Sequence, residues 1–294
     1  MRIVTRPDFD GVVCAVLIAE ALEIRRPPLW LEPSDIQQGR ADIRAGDIVA
    51  NLPFHPACEV WIDHHATNTA GRAFNGLLKD APSAARLVLD YFTPRLQRDF
   101  TELVAWADRI DSADITRDMV VHPEAYDYVL LSMTVSGEDR RDEPYWNRLV
   151  GLLGDGTIRE VMADAETAER CRRVVEQNAR YAEILKTCTR VQGHVSITDL
   201  RPIGGAPAGN RFLAYSLFPD ACVNIRIRYE AAGADTVVVN IGHNIFNSGC
   251  NVHVGRLLAA FGGGGHRGAA SARLPAHRAE EALVRIIDAL EQNR

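Results

Sequence analysis

The N-terminal half is punctuated by short apolar runs: Met1 to Thr5, then Leu29 to Leu31, Ile48 to Ala50 and Val60 to Ile62, the last three bounded by proline, glycine or aspartate. The first is rich in β-branched residues, and the last three, so short and so uniformly apolar, predict strands covered on both faces, the pattern of a parallel sheet. Between the first two lies Gly11 to Ile24, apolar with helical character through Val12, Val13, Val16, Leu17 and Leu22. A strand leading into a helix and then to further buried strands predicts an α/β fold built on a doubly wound, mostly parallel sheet. Ser83 is placed to cap a helix through Phe92, and Pro94 to break it before a second helix ending near Asp108. Tyr145 to Lys186 is rich in Ala, Glu, Arg and Leu, lacks proline, and predicts a helical connector. After Thr189 short strands return at Val195 to Thr198, Cys222 to Tyr229 and Thr236 to Ile241. The expectation is an N-terminal domain with its connector over residues 1–189 and a smaller C-terminal α/β domain with a mixed sheet over 190–294.

Composition narrows the function. With 294 residues, 47% of them hydrophobic and 24% charged, the chain can bury a core, which excludes disorder as its main state. No apolar stretch approaches the roughly 20 residues of a membrane span, so no membrane partner is expected. The start MRIVTRPDFD has the pattern of neither a secretion signal nor a transit peptide, and a cytoplasmic location is the expectation. A net charge of −6 argues against bulk coating of nucleic acid, so any phosphate binding must be local. Almost all the basic residues are arginine, with lysine only at Lys79 and Lys186, which fits either coding bias or fork-like phosphate recognition. Six scattered cysteines show no C-x-x-C pair and no zinc spacing, and are expected to pack as small hydrophobes. Cys250 has no paired base identifiable from sequence.

Four constellations carry chemistry. Asp8 and Asp10 follow the first strand, at the carboxyl end where open α/β sheets bind ligands, and oxygen donors there suit Mg²⁺ or Mn²⁺. A turn with Asp as helix N-cap is the alternative. Asp63-His64-His65 follows the fourth run and offers an imidazole ligand, an orienting carboxylate and a second imidazole for a phosphate or proton. Asp108 and Asp111 end a hydrophobic helical run, where a solvated helix end is the alternative. Gly262 to Gly265, followed by His266 and Arg267, can expose backbone N–H groups as an anion-binding concavity, against which stands a flexible linker. No P-loop motif is present. Near this loop Asn251 and Arg256, and upstream Arg226 and Arg228 on one face of a predicted strand, are further candidates for phosphate or base contact, with ordinary surface charge as the alternative.

Asp8-x-Asp10, Asp63-His64-His65 and Gly263-Gly264-Gly265-His266-x-x-Ala269-Ala270, in this order across the chain, resemble the DHH phosphoesterases with their associated C-terminal domain. That family includes RecJ-type exonucleases, nanoRNases, cyclic-dinucleotide phosphodiesterases, more distant family II pyrophosphatases, and members labelled exopolyphosphatase. The resemblance implies a two-lobed enzyme with Mn²⁺ or Mg²⁺ in the first lobe, substrate held by the glycine loop of the second, and a cleft between them. It implies phosphoester hydrolysis by a water activated at the metal. Carried over, Asp8, Asp10 and His64 match metal ligands, Asp108 the final ligand with Asp111 as fallback, and Asp63 a supporting position. His65 and His266 would face the substrate phosphate, with Gly263, Gly264, Gly265, Arg267, Asn251 and Arg226 around it.

Two departures stand out. Arg6 occupies the position of a family histidine, and Asn51 that of a metal-bridging aspartate. Two dications about 4 Å apart repel by roughly 16 kcal/mol at an effective dielectric of 20, and an amide offsets none of it. The pair of changes adds two positive units, the charge of one divalent cation. The expectation is that Arg6 replaces one metal, leaving a single ion on Asp10, His64 and Asp108, with Asp8 paired to Arg6. The expected substrate is a small phosphorylated nucleotide, short oligonucleotide or polyphosphate, and a homodimer is compatible with the family. The competing reading is a non-catalytic binder of a phosphorylated metabolite. A processive exonuclease would need a longer basic groove and stacking aromatics.

Overall fold

Strands β1 (Arg2–Thr5), β2 (Leu29–Trp30), β3 (Asp47–Ala50), β4 (Val60–Asp63) and β5 (Gly76–Leu78) pair in parallel in the order β2-β1-β3-β4-β5. The computed structural model describes residues 1–293 except 66, 138, 205, 206, 232 and 233. The first four strands coincide with the apolar runs; β5 is three residues long and only half-buried, so its sequence carries no comparable signal. Every residue of β3 and β4 is buried, as strands sheltered on both faces must be. The helices are α1 (Phe9–Ala21), α2 (Pro33–Gln37), α3 (Ala84–Phe92), α4 (Thr101–Asp111), α5 (Arg117–Val121), α6 (Asp127–Ser132), α7 (Glu143–Asp155), α8 (Ile158–Ala163) and α9 (Ala165–Cys188). The chain divides into two compact units, residues 1–115 with 123–172, and residues 116–122 with 173–294. The segment predicted as a helical connector consists of three consecutive helices, α7 to α9.

Helix α1 has no polar face in its first three turns, because it packs against β1 and against α3, α4 and α7. The chain leaves β1 for β2 on one side and returns to β3 on the other. Such a reversal opens a crevice at the carboxyl ends of β1 and β3. Asp8 and Asp10 follow β1 there, and Asn51 follows β3. Gly11 is required for the turn into α1, since a Cβ at this position would lie 2.0 Å from the carbonyl oxygen of Arg6. Asp8 is the N-cap, accepting the Gly11 amide at 2.8 Å. Asp10 therefore lies inside the first turn and is not the cap.

The second unit holds β6 (Thr189–Gln192), β7 (Val195–Asp199), β8 (Val223–Tyr229), β9 (Thr236–His243), β10 (Gly264–Gly265) and β11 (Ala269–Pro275), in the order β10-β11-β9-β8-β7-β6. Only β7 and β8 pair in parallel, so the sheet is mixed. One face carries the alternate residues Val223, Ile225 and Ile227 of β8 and Val237, Val239 and Ile241 of β9 into a core shared with α11 (Val254–Ala259) and α12 (Ala276–Gln292). The short α10 (Leu213–Leu217) completes the described elements. No helix among the described residues is long and apolar enough to cross a membrane.

Candidate metal centre

Donor atoms of Asp10, His64 and Asp111 lie within 4.8 Å of one another. Asp10, 2% exposed, has its two oxygens held by the first amides of α3: Ala84 donates to Oδ2 at 2.9 Å and Ala85 to Oδ1 at 2.8 Å. His64 follows β4, and its Nδ1 lies 3.0 Å from the carbonyl oxygen of Ala81. A carbonyl only accepts, so Nδ1 carries the proton and Nε2 presents a lone pair. That Nε2 is buried without a hydrogen-bond partner, 3.4 Å from Oδ2 of Asp111 and 3.9 Å from Oδ2 of Asp10. A buried acceptor facing two carboxylates is a costly arrangement unless a cation joins them. Burial first, then the neighbouring Asp111 and Asp8, push Asp10 well above the ordinary carboxyl range. One imidazole nitrogen and carboxylate oxygens fit a hard to borderline divalent cation such as Mn²⁺ or Mg²⁺.

Asp111, the fallback from sequence, is the acid whose carboxylate lies with Asp10 and His64, while Asp108, the first choice from sequence, turns toward α3. Its Oδ1 accepts the Ser83 hydroxyl at 2.6 Å and its Oδ2 accepts Nε of Arg86 at 2.9 Å. Both oxygens are thus committed to α3. The sequence placed two acids at the end of α4 without showing which one the helical turn aims at His64.

Asp8, Arg6 and Asn51 form a second group beside the first. Asp8 Oδ1 accepts the Gly11 amide and, at 2.9 Å, the side-chain amide of Asn51, while Oδ2 lies 3.3 Å from Arg6. Asn51 is 2% exposed and has a φ of +56°, a left-handed conformation that Asn tolerates better than most residues. Arg6 is also braced by Glu32, whose Oε2 accepts from Nε at 3.3 Å. Burial raises the Asp8 carboxyl to about 6, against the opposing pull of Arg6. Glu32 had no sequence signal, since it reaches the site from the loop after β2.

Asp63, fully buried, is not in the three-residue cluster. Its Oδ1 is 2.8 Å from His65 Nδ1, and its Oδ2 accepts from Asn68 at 2.6 Å. This fixes the His65 ring, whose centroid is 4.3 Å from that of His64. The hydrogen bond to Asp63 raises His65 above the usual imidazole range, with burial opposing.

In the second unit the glycine segment is less open than expected. The amides of Gly262 and Gly263 donate back into the end of α11, and that of His266 donates to Ala269. Gly263 and Gly265 are glycine for close packing: a Cβ on either would lie 2.4 Å from a carbonyl oxygen of β11. The amides of Val254 and Gly255 hold the carbonyls of Arg267 and His266. Gly264, His266 and Arg267 are left exposed. Arg267 donates to the carbonyl of the exposed Asn251 at 3.3 Å. Arg226 is half-buried in β8, between Thr198 and Asn240 in the strand register. Arg228 caps its own strand end through the carbonyls of Tyr229 and Glu230.

No family model matches this sequence, and no curated protein matches it. Among solved structures the chain is similar to the pGpG-specific phosphodiesterase PggH from Vibrio cholerae, at 27% identity and a TM-score of 0.85, over 100% of this chain and 99% of that one. It shares its fold with RecJ from Thermus thermophilus in complex with Mn²⁺, at 13% identity and a TM-score of 0.58, over 99% of this chain and 52% of RecJ. A second exonuclease RecJ structure, bound to manganese, matches at 13% identity and a TM-score of 0.52, over 97% of this chain and 88% of that one.

Proposed function

Because the chain belongs to the DHH phosphoesterases, we propose that it hydrolyses the phosphodiester of a short linear dinucleotide, using one divalent cation held by Asp10, His64 and Asp111. The observation that carries this reading is the buried, unpartnered Nε2 of His64 between two carboxylates, in a chain similar end to end to a phosphodiesterase of a linear dinucleotide. When bound, the cation would activate a water and offset charge on the phosphoryl oxygens.

The chain's own residues supply the rest. Arg6, fixed between Asp8 and Glu32, is a permanent cation in the place of a second ion and orients a phosphoryl oxygen. Asn51 donates to Asp8 and keeps that carboxylate turned to Arg6. His65, held by Asp63 with its proton affinity raised, donates a proton to the leaving oxygen through Nε2. In the second unit, taken by itself, the exposed Gly264, His266 and Arg267, with Asn251 and the half-buried Arg226, offer cationic and backbone donors suited to a phosphate.

The experiment is a substrate panel with Mn²⁺: linear pGpG, other linear dinucleotides, cyclic dinucleotides and polyphosphate. Cleavage of linear dinucleotides to mononucleotides, lost in Asp10→Ala and His64→Ala, is expected. Tight binding without turnover would instead favour a sensor, and turnover of polyphosphate alone would refute the dinucleotide assignment.

A further inference from the structure

We propose, resting on the metal-site reading above, that Asp108 is a positioning residue that holds Asp10 in register with Asp111 through the N-terminus of α3. The chain of contacts is continuous. Asp108 Oδ1 accepts the Ser83 hydroxyl at 2.6 Å, which commits that proton and leaves the Ser83 lone pairs to the Arg86 amide, 3.0 Å away. Ser83 thereby caps α3. Asp108 Oδ2 takes the Arg86 guanidinium and ties the same turn down a second time. The next amides of that turn, Ala84 and Ala85, each grip one oxygen of Asp10.

Asp108 and Asp111 lie three residues apart in the last turn of α4 and share one helical face. One of them is a proposed ligand; the other grips the helix that holds the ligand opposite. The separation of Asp10 from Asp111 is therefore set by a hydrogen-bonded brace between two helix ends. Without Asp108 the Ser83 hydroxyl is free to turn, Arg86 loses its carboxylate, and the amides that aim Asp10 are no longer tied to α4.

The test is calorimetric titration of Mn²⁺ into metal-free protein, alongside melting of the metal-free protein. Asp108→Ala and Ser83→Ala are expected to weaken Mn²⁺ binding by about 10- to 100-fold, the usual range for residues that orient ligands. Asp108→Asn keeps an acceptor for Ser83 and recovers most of the affinity. Val88→Ala, which thins the buried face of α3 without touching the brace, lowers the melting temperature and leaves Mn²⁺ affinity unchanged. Wild-type affinity in Asp108→Ala overturns the proposal. So does a loss in Asp108→Asn as complete as in His64→Ala, which would make Asp108 a ligand, or an affinity loss that merely tracks melting temperature across all variants. Failure of the metal reading looks different: wild-type protein would bind no Mn²⁺, or His64→Ala would bind it as well as wild type, and the brace would fall with it.

Discussion

The side-chain amide of Asn51 donates to Oδ1 of Asp8 across 2.9 Å, so residue 51 brings the site a hydrogen where an aspartate would bring a lone pair. Together with Arg6 on Oδ2, this engages both oxygens of Asp8 within the chain itself. Restoring a carboxylate at 51 and an imidazole at 6 reverses the charge balance. The double variant Arg6→His, Asn51→Asp is expected to raise Mn²⁺ stoichiometry, measured by elemental analysis after dialysis, from one ion per chain to two. An unchanged stoichiometry would show that these residues do not set the ion count.

Metal-free protein should lose stability as pH rises. Burial holds Asp8 at about 6, against an ordinary 3.8, and burial likewise raises Asp10. Between the ordinary carboxyl range and these raised values the folded chain binds more protons than the unfolded chain. Stability is therefore greatest below that window and falls as pH climbs through it. In chelator, the melting temperature should drop as pH rises from 3.8 to about 6, the window set by Asp8. The stabilisation by added Mn²⁺ should grow over the same range, since the ion replaces the protons. A metal-free melting temperature that rises across this interval would contradict the buried carboxylate cluster.

His65 owes its raised proton affinity first to Asp63, so Asp63→Asn should lower it. If His65 is the proton donor, kcat/KM falls as pH rises through its titration, and in Asp63→Asn that alkaline limb moves to lower pH. His65→Ala should cost about 100-fold or more in rate and lose the limb altogether. A limb that stays in place in both variants would remove His65 from proton transfer.

Gly11→Ala should destabilise the fold by about 3 kcal/mol, because its methyl group would lie 2.0 Å from the Arg6 carbonyl and force the β1–α1 turn apart. Chemical denaturation measures this. A near-neutral result would mean the turn relaxes easily, and that Arg6 and Asp8 are held less tightly than their contacts suggest.

Much of this was legible in the sequence because the relevant signals are local. Short apolar runs announced β1 to β4 and Ser83 announced α3, while Asp10 and His64, singled out after the first and fourth runs, come together at the strand ends. What was illegible depends on rotation and reach. Asp108 and Asp111 are both acids on one helix face, and only the tertiary packing of α4 against α3 decides that Asp108 meets Ser83 and Arg86 while Asp111 meets His64. Glu32 reaches Arg6 from a loop with no pattern of its own. The glycine segment looked like an open cradle, yet close packing explains Gly263 and Gly265, and the neighbouring amides are spent on α11 and Ala269.

Anomalous scattering from crystals grown with Mn²⁺ tests the single-ion centre most directly. One peak bounded by Asp10, His64 and Asp111, with none between Asp8 and Asn51, is the predicted map. No peak at His64 Nε2, or a second ion of full occupancy beside Asp8, would contradict it.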